Sequence, residues 1–387
     1  MFKRAWAQID LDALAHNMRE IRNITNKKSM ICAVVKADAY GHGSYDCAKV
    51  LLENGADRLA VATMTEAIQL RTEGINVPIL ILGMSFEEDL DAIVKYDIIP
   101  AVADFEFAKK LSDTAVKAGK TVKIHIKVDT GMSRIGFVLS DGDNTCQVNE
   151  IINISKLPGI ETEGMFSHFS TSDELDSSYT LMQFDRFMKF DKKLKEAGLE
   201  IPVKHIANSA AIMMYPQTHL DMVRPGIIMY GMYPSEEVDK SVLDLKYVMS
   251  LRARVAYVKE AEAGRGVSYG KEYITNKKTK IATVPIGYAD GYIRRLAGKA
   301  KMIVNGKILP VIGRICMDQC MIEADSVNNI NKGDEVIIFG NDLVTIDDMA
   351  SWLDTINYEV ACMISRRIPR IYVRNGKAVK TLDYLIG

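Results

Sequence analysis

The stretch Ala33-Val34-Val35-Lys36-Ala37-Asp38-Ala39-Tyr40-Gly41-His42-Gly43 places one lysine directly after an apolar, β-branched run. Such a run is typical of a buried strand, and the glycines that follow allow the backbone to approach a ligand closely. We therefore expect Lys36 at the carboxyl tip of a strand. A lysine that is desolvated there can lose its proton and form a Schiff base with a carbonyl compound. The alternative is a solvated lysine that merely ends the strand.

Apolar runs alternate with amphipathic segments from Lys28 to about Met232, which predicts a parallel α/β domain. Eight strand candidates favour a closed (β/α)8 TIM barrel, and a doubly wound open sheet is the alternative. Gly74, Gly119 and Gly198 each follow a helical segment, where a helix is expected to end. The strand candidates are residues 31–35, 59–62, 79–82, 98–102, 122–128, 160–166, 203–206 and 222–229. The helix candidates between them include residues 44–53, 65–73, 86–95, 105–118 and 178–197.

Beyond about Ser235 the pattern changes to short alternating runs separated by turn residues, which predicts a mostly β domain. Asn305-Gly306 and Asn375-Gly376 are typical hairpin turns. The strand candidates here include residues 253–258, 281–285, 302–304, 336–339 and 371–373. We therefore predict a barrel domain over residues 1–235 and a mostly β domain over residues 236–387. Residues 6–11 could pack against either domain.

The composition argues against several kinds of partner and against a metal site. The chain has 387 residues, enough for two domains, with 49 Lys and Arg against 50 Asp and Glu, so a nucleic acid or an anionic membrane is not expected as a partner. The amino terminus meets Asp10 and Asp12 where a signal peptide would be apolar, and a cytoplasmic protein is expected. The six cysteines include no CxxC pair, so we expect reduced thiols and no metal site.

Polar groups recur where the predicted barrel strands end, which is the face on which barrel enzymes place their active sites. Each of them has an ordinary structural explanation by itself, such as a surface arginine or a helix cap. Several at one face instead indicate a functional site. Besides Lys36, these candidates are Arg134, His168, Asn208, Ser209, Arg224, Gly226 and Ile227.

These segments resemble the alanine racemase family across essentially the full length of the chain. In the barrel the resemblance rests on Lys36–Gly43, on KVDTGMSRIG at 127–136 and on MVRPGI at 222–227. In the second domain it rests on GVSYG at 266–270, PIGYADGY at 285–292, GRICMDQ at 313–319 and TINYEV at 355–360. The resemblance implies a barrel that carries pyridoxal 5′-phosphate (PLP) and a head-to-tail homodimer with shared active sites.

By resemblance, Lys36 would hold PLP covalently, and Arg224 would face the pyridine nitrogen of the cofactor. A guanidinium stays protonated, so the ring nitrogen that accepts its hydrogen bond should remain unprotonated. Asn208 matches a further cofactor-pocket position. The family's phosphate-binding positions correspond to Tyr40, Ser209, Gly226, Ile227 and Tyr358.

The resemblance also implies two catalytic bases on opposite faces of alanine: Lys36 on the D face, and Tyr269 of the partner subunit on the L face. His168 and Arg224 would favour the phenolate that a tyrosine base needs. Arg134 would bind the cofactor's phenolic oxygen and the substrate carboxylate, which also receives the backbone N–H of Met317 from the partner. Lys127 matches a lysine that orients the arginine at the Arg134 position and is carbamylated in some members of the family. Asp318 matches a supporting residue, and Tyr288 and Arg294 match positions in the substrate channel.

The sequence therefore predicts a racemase that interconverts L- and D-alanine and supplies D-alanine for peptidoglycan. A serine or broad-specificity racemase shares most of these motifs and is the main alternative. A PLP decarboxylase would need a Cys-Glu pair, which neither Cys316 nor Cys362 forms. A non-catalytic PLP-binding barrel would lack the second domain, and a scaffold derived from a racemase would be expected to have lost Lys36 or Tyr269.

Overall fold

The structure is a computed structural model that describes residues 4–386, and these residues form two compact units. A barrel unit comprises Leu14–Ala39 and Ser44–Leu245. A β unit comprises residues 4–13, 40–43 and 246–386. Within residues 4–386, no helix is both long enough and apolar enough to cross a membrane.

The first 245 residues contain most of the helices. Their strands are β1 (Ala5–Asp10), β2 (Met30–Val34), β3 (Arg58–Val61), β4 (Ile79–Met84), β5 (Ile99–Val102), β6 (Val122–Asp129), β7 (Phe137–Val138), β8 (Ile160–Phe166), β9 (Val203–His205) and β10 (Met222–Val223). Their α-helical segments are α1 (Leu11–Ile24), α2 (Lys36–Gly41), α3 (Ser44–Glu53), α4 (Met64–Thr72), α5 (Leu90–Tyr96), α6 (Phe105–Lys117), α7 (Thr145–Ser155), α8 (Ser178–Glu196) and α9 (Ser209–Met214).

Eight parallel strands build the barrel in the order β10-β2-β3-β4-β5-β6-β8-β9, and β7 pairs with β6 outside this path. Two backbone hydrogen bonds join the ends of this order: Asp221 N to Lys204 O at 3.1 Å and Arg224 N to Ala207 O at 3.0 Å. The predicted (β/α)8 barrel is therefore confirmed. The strands of this sheet carry fully buried apolar residues, such as Ile81 and Ile126.

Three helices of the barrel unit end just before a glycine, as the sequence analysis predicted. Gly74, Gly119 and Gly198 have φ of 96°, 65° and 87°, and each follows the last turn of α4, α6 or α8.

The eighth strand is much shorter than predicted. Strand β10 ends at Val223, and residues Ile227–Tyr230 form a 3-10 helix instead of the end of a strand. Pro225 lies between the two segments and cannot donate a ladder hydrogen bond.

The remaining elements belong to the β unit. They are β11 (Met249–Arg254), β12 (Tyr257–Ala261), β13 (Gly266–Val267), β14 (Tyr273–Ile274), β15 (Thr279–Val284), β16 (Lys301–Val304), β17 (Lys307–Ile312), β18 (Cys320–Glu323), β19 (Glu335–Phe339), α10 (Ile346–Leu353), α11 (Asn357–Met363), β20 (Arg370–Arg374) and β21 (Lys377–Leu382). The main sheet runs in the order β12-β15-β18-β17-β16-β19-β11-β1-β20-β21. The predicted mostly β character is therefore confirmed, with two helices that the sequence analysis did not predict.

The amino-terminal run packs in the β unit, because strand β1 pairs antiparallel with β11 and parallel with β20 there. The predicted hairpin turns connect β16 to β17 and β20 to β21, with Asn305 and Asn375 at φ of 50° and 51°. The predicted strand 253–258 was wrong. The chain bends between β11 and β12, so this run covers the end of one strand and the start of the next.

Candidate active site

The turn after β2 positions Lys36. Residues 37–40 all have φ between 52° and 55°, so α2 is a left-handed turn built from non-glycine residues. This conformation costs about 1–2 kcal/mol per residue, and the surrounding structure must compensate for it. The N–H of Ala37 donates to Glu66 Oε1 at 2.7 Å, and the N–H of Ser44 donates to Asp38 Oδ1 at 2.8 Å. These bonds fix the chain that follows the half-buried Lys36.

His168 lies within the electrostatic influence of four cationic side chains. Burial lowers its pKa well below the ordinary value, and the nearby charges of Arg224, Arg134, Lys127 and Lys36 lower it further. The imidazole is therefore neutral near pH 7 in this environment. A group of cations at the mouth of a barrel suits a ligand that carries anionic groups.

Arg224 is a buried guanidinium with a nearly complete set of acceptors. Its Nη1 donates to His205 Nδ1 at 2.7 Å. Its Nη2 donates to the carbonyls of Ser167 at 2.7 Å and Ile206 at 3.2 Å, and lies 3.2 Å from His168 Nδ1. Within residues 4–386 no atom accepts a hydrogen bond from Nε, so this charged donor is left for a ligand.

Lys127 is buried beside these groups. Its Nζ donates to the carbonyl oxygen of Val128 at 2.7 Å and lies 5.4 Å from the centre of the Phe166 ring. Burial, together with the charge of Arg224, lowers the pKa of Lys127 to about 7. A large share of its amine is therefore unprotonated at neutral pH, and an uncharged amine is nucleophilic.

Ser209, Gly226 and Ile227 meet where the last two barrel strands end. The N–H of Gly226 donates to Ser209 Oγ at 2.9 Å, and a 3-10 helix begins at Ile227. Asn208 caps α9, because its Oδ1 accepts from the N–H of Ala211 at 3.0 Å. Hydroxyl and backbone N–H groups at one point are suited to binding phosphate without a further cation.

The β unit contains the other predicted site residues. The rings of Tyr40 and Tyr358 lie 6.2 Å apart between centroids, so the two tyrosines predicted to bind phosphate meet in this unit. Arg370 Nε donates to the carbonyl oxygen of Gly41 at 2.9 Å and so fixes the backbone next to Tyr40. Burial raises the pKa of Tyr40 far above its ordinary range, which keeps this hydroxyl protonated and able to donate.

Tyr269 and Met317 are exposed in the single chain, at 69% and 53% of their surface. The neighbouring turn supports the Met317 segment, because the N–H groups of Tyr288 and Ala289 donate to the carbonyls of Cys316 at 3.1 Å and Met317 at 3.0 Å. Tyr288 itself and Arg294 are exposed. Large side chains that a single chain leaves exposed are available to a second copy.

Asp318 lies beside the same segment and accepts a hydrogen bond from Arg367 Nη2 at 2.8 Å. Arg367 also lies 3.7 Å from the fully buried Asp290, which forms a two-bond ion pair with Arg4 at 2.5 and 3.0 Å. The carboxylates and arginines around the 313–319 segment therefore form one connected network.

The structure thus brings Lys36, Lys127, Arg134, His168 and Arg224 together in the barrel unit, while the tyrosines and Met317 lie in the β unit. The sequence analysis missed three supporting residues. Glu66 holds the turn after Lys36, and His125 and His205 lie behind Arg224. The sequence offers only a weak signal for the histidines, because β6 and β9 also carry lysines and the two imidazoles do not stand out from these other polar residues.

Comparison with known proteins places these features in a family. Residues 9–234 match the family model "Alanine racemase, N-terminal domain", and residues 248–372 match "Alanine racemase, C-terminal domain". The chain belongs to the alanine racemase family. It is 52% identical over 383 residues to an alanine racemase of Clostridium perfringens, and the alignment covers 98% of each chain.

Solved structures of alanine racemases are similar over the whole chain. The alanine racemase of Clostridium difficile 630 is 45% identical with a TM-score of 0.96, and the match covers 100% of both chains. The alanine racemase of Bacillus anthracis with bound L-Ala-P is 38% identical with a TM-score of 0.93, covering 100% of this chain and 99% of the other. The resemblance on which the sequence analysis relied is therefore confirmed.

Proposed function

We propose that the chain interconverts L- and D-alanine with PLP as its cofactor. Membership of the alanine racemase family supports this activity. The observation that carries it is the cluster around His168, where Lys36, Arg134 and Arg224 converge at the carboxyl ends of the barrel strands. This cluster offers both an amine and charged donors at the face where barrel enzymes react.

The chemistry of the donor set fits PLP. Lys36 offers an amine to the aldehyde, the Nε–H of Arg224 is available to an unprotonated pyridine nitrogen, and Arg134 suits the phenolic oxygen. The Ser209 hydroxyl and the backbone around Gly226 and Ile227 suit the phosphate, with Tyr40 and Tyr358 as further hydroxyl donors. When bound, PLP withdraws electrons from the Cα–H bond of an attached amino acid and so makes that proton acidic.

Inversion at Cα requires a base on each face of the substrate. We assign the D face to Lys36 Nζ and the L face to the hydroxyl of Tyr269 of the partner subunit, each removing the proton that the other returns. A phenol acts as a base only where positive charge favours its phenolate. The Lys36, Arg134 and Arg224 charges around His168 would supply that environment.

The shared site follows from this assignment. The exposure of Tyr269 and Met317 supports their donation to a second copy of the chain in a homodimer. There the N–H of Met317 and the guanidinium of Arg134 would hold the substrate carboxylate. Asp318 would support this segment, and Tyr288 and Arg294 would line the channel. The D-alanine product fits a supply of cytoplasmic precursors of peptidoglycan.

The first experiment is chiral chromatography of L-alanine incubated with PLP-loaded protein, with L-serine in a parallel reaction. We expect L-alanine to become a near-equal mixture of enantiomers, and the serine reaction measures substrate breadth. The Lys36→Ala variant serves as the inactive control. If the wild-type protein binds PLP and neither amino acid is inverted, the proposed function is wrong. Release of CO2 would then favour a decarboxylase.

A further inference from the structure

A row of buried polar side chains crosses the interior of the barrel from Arg224 to Glu163. Arg224 Nη1 lies 2.7 Å from His205 Nδ1, and His205 Nε2 lies 2.8 Å from His125 Nδ1. His125 Nε2 in turn lies 3.0 Å from Glu163 Oε2. Both imidazoles are fully buried, and Glu163 is 6% exposed. Polar groups buried to this extent must be fully hydrogen-bonded, because each unmet bond is costly.

The direction of every hydrogen bond in this row is determined by its two ends. A guanidinium can only donate, so His205 Nδ1 must accept and its proton must be on Nε2. That Nε2–H then donates to His125 Nδ1, which places the His125 proton on Nε2 as well. The carboxylate of Glu163 can only accept, and it receives that last proton. A second proton on either ring would put two donors face to face, so both histidines must be neutral.

The electrostatic environment agrees with this assignment. Burial is the main cause that lowers the pKa of His125, and burial with the charge of Arg224 lowers that of His205 well below its ordinary value. Although burial by itself raises the pKa of Glu163, hydrogen bonds from His125, Arg58 and Lys123 together hold it far below the ordinary range. A carboxylate therefore ends the row at one side and a guanidinium at the other.

The row also explains how a buried arginine is stabilised. Within residues 4–386 no carboxylate lies within ion-pair distance of Arg224. Two hydrogen-bonded imidazoles instead connect Arg224 to the carboxylate of Glu163. On its other side, Glu163 accepts hydrogen bonds from Arg58 Nη1 at 2.5 Å and Lys123 Nζ at 2.9 Å. An arrangement of this kind orients Arg224 without placing an anion against it, so its charge is not cancelled locally.

We propose that Glu163, His125 and His205 are positioning residues, which together orient the guanidinium of Arg224 toward the pyridine ring of the cofactor. The inference rests on the proposed function, because it assigns these residues to the same site. An alternative is that Glu163 serves only the ion cluster with Arg58 and Lys123 at the opposite end of the barrel, where charged groups usually contribute to stability.

The wild-type protein tests the proposal without any substitution. In protein labelled with ¹⁵N-histidine, two-bond ¹H–¹⁵N correlations report which ring nitrogen carries the proton. We expect both His125 and His205 to be neutral with the proton on Nε2. A charged ring, or a proton on Nδ1 of either residue, overturns the proposal. This measurement uses neither substrate nor turnover, so it stays informative even if the protein does not racemise alanine.

The Glu163→Gln variant tests whether Glu163 acts on Arg224. Glu161→Gln is the matched control, because Glu161 lies on the same strand and also faces Lys123, at 3.8 Å, but is exposed to solvent. We expect Glu163→Gln to shift the ¹⁵N signals of His205, to change the absorbance of bound PLP and to lower kcat about tenfold with little change in KM. Glu161→Gln should do none of these. If Glu163→Gln alters only His125 and thermal stability, Glu163 belongs to the ion cluster alone and the proposal is wrong.

Discussion

At the scale of single residues, the unusual amine is that of Lys127. Because burial lowers its pKa to about 7, the unprotonated form increases as the pH rises through neutrality. An unprotonated amine adds to CO2 and releases one proton to solvent, which forms a carbamate whose negative charge would be stabilised by the nearby cations. We therefore expect protein equilibrated with ¹³C-bicarbonate to show a carbamate carbonyl signal by ¹³C NMR that grows as the pH rises through about 7.

The matched control for this signal is Lys127→Met, which removes the amine but keeps an unbranched side chain of similar length. The signal should be absent from that variant and present in the Glu161→Gln protein. A signal that persists in Lys127→Met would assign the carbamate to another lysine. An unmodified Lys127 at pH 8 or so would contradict the expected reactivity of the buried amine.

The two-base assignment makes a second prediction at this scale. The equilibrium constant between enantiomers is one, so kcat/KM for racemisation must fall equally in both directions and cannot distinguish the bases. Exchange of the Cα proton with deuterated solvent can distinguish them, because it is measured separately for each enantiomer. In Tyr269→Phe we expect D-alanine to keep exchanging through Lys36 with retained configuration, while exchange of L-alanine falls about 100-fold or more.

Tyr257→Phe is the control, because Tyr257 is also an exposed tyrosine of the β unit but has no assigned role. It should exchange and racemise both enantiomers as the wild-type protein does. Equal losses of exchange from D- and L-alanine in Tyr269→Phe would mean that Tyr269 is not the base for one face.

At the scale of elements, the turn 37–43 shows how backbone shape and packing are coupled. Gly43 has φ of 93°, and a Cβ on it would lie 1.8 Å from Tyr372 Oη. Gly74 has a similar φ of 96°, but a Cβ there would meet nothing within 4 Å. We expect Gly74→Ala to lower the free energy of unfolding by about 1 kcal/mol, and Gly43→Ala to lower it by about 2–4 kcal/mol because a steric clash adds to the backbone cost.

Urea unfolding of the two variants measures the difference. The double variant Gly43→Ala, Tyr372→Phe should recover part of the stability, since it removes the oxygen with which the new methyl group clashes. If Gly43→Ala costs no more than Gly74→Ala, the close approach of Tyr372 is not a constraint on this turn.

These elements also show what the sequence could predict. The glycines that end α4, α6 and α8 and the two Asn-Gly hairpins were correct, because a positive φ is needed locally and glycine or asparagine supplies it. The left-handed turn at 37–40 was not foreseen, because Ala37 and Ala39 do not favour that conformation. Bonds from distant residues such as Glu66 hold it there. Strand β10 was predicted too long, because apolar character continues past Pro225 although the strand does not.

At the scale of the whole molecule, the sequence placed the barrel site residues at the strand ends, and the structure groups Lys36, Arg134, His168 and Arg224 there. It could not reveal the His205–His125–Glu163 row. The members of that row lie on the neighbouring strands β9, β6 and β8 and meet only once these strands pair, so their spacing along the chain carries no pattern. Side chains that act through contacts between paired strands become recognisable only once the strand register is known.

The proposed shared site makes a prediction for the assembled protein. Lys36→Ala and Tyr269→Ala chains should each be nearly inactive as homodimers, since every site lacks one base. In a mixed dimer, the site formed by Lys36 of one chain and Tyr269 of the other is intact, whereas the second site lacks both bases. Random pairing makes half of the dimers mixed, so co-expressed chains should recover about a quarter of the wild-type activity.

Two differently tagged chains, purified through both tags in succession, give mixed dimers alone and should raise the recovered activity to about half of the wild-type value. A mixture of Lys36→Ala with Lys36→Arg chains is the control and should recover nothing, because both chains lack the same base. Since Tyr269 is exposed in the single chain, its contribution to a partner requires association, and sedimentation should show a dimer at the concentrations assayed. Mixed dimers without activity would mean that each chain uses its own tyrosine, and the shared site would then be wrong even if the racemase activity is correct.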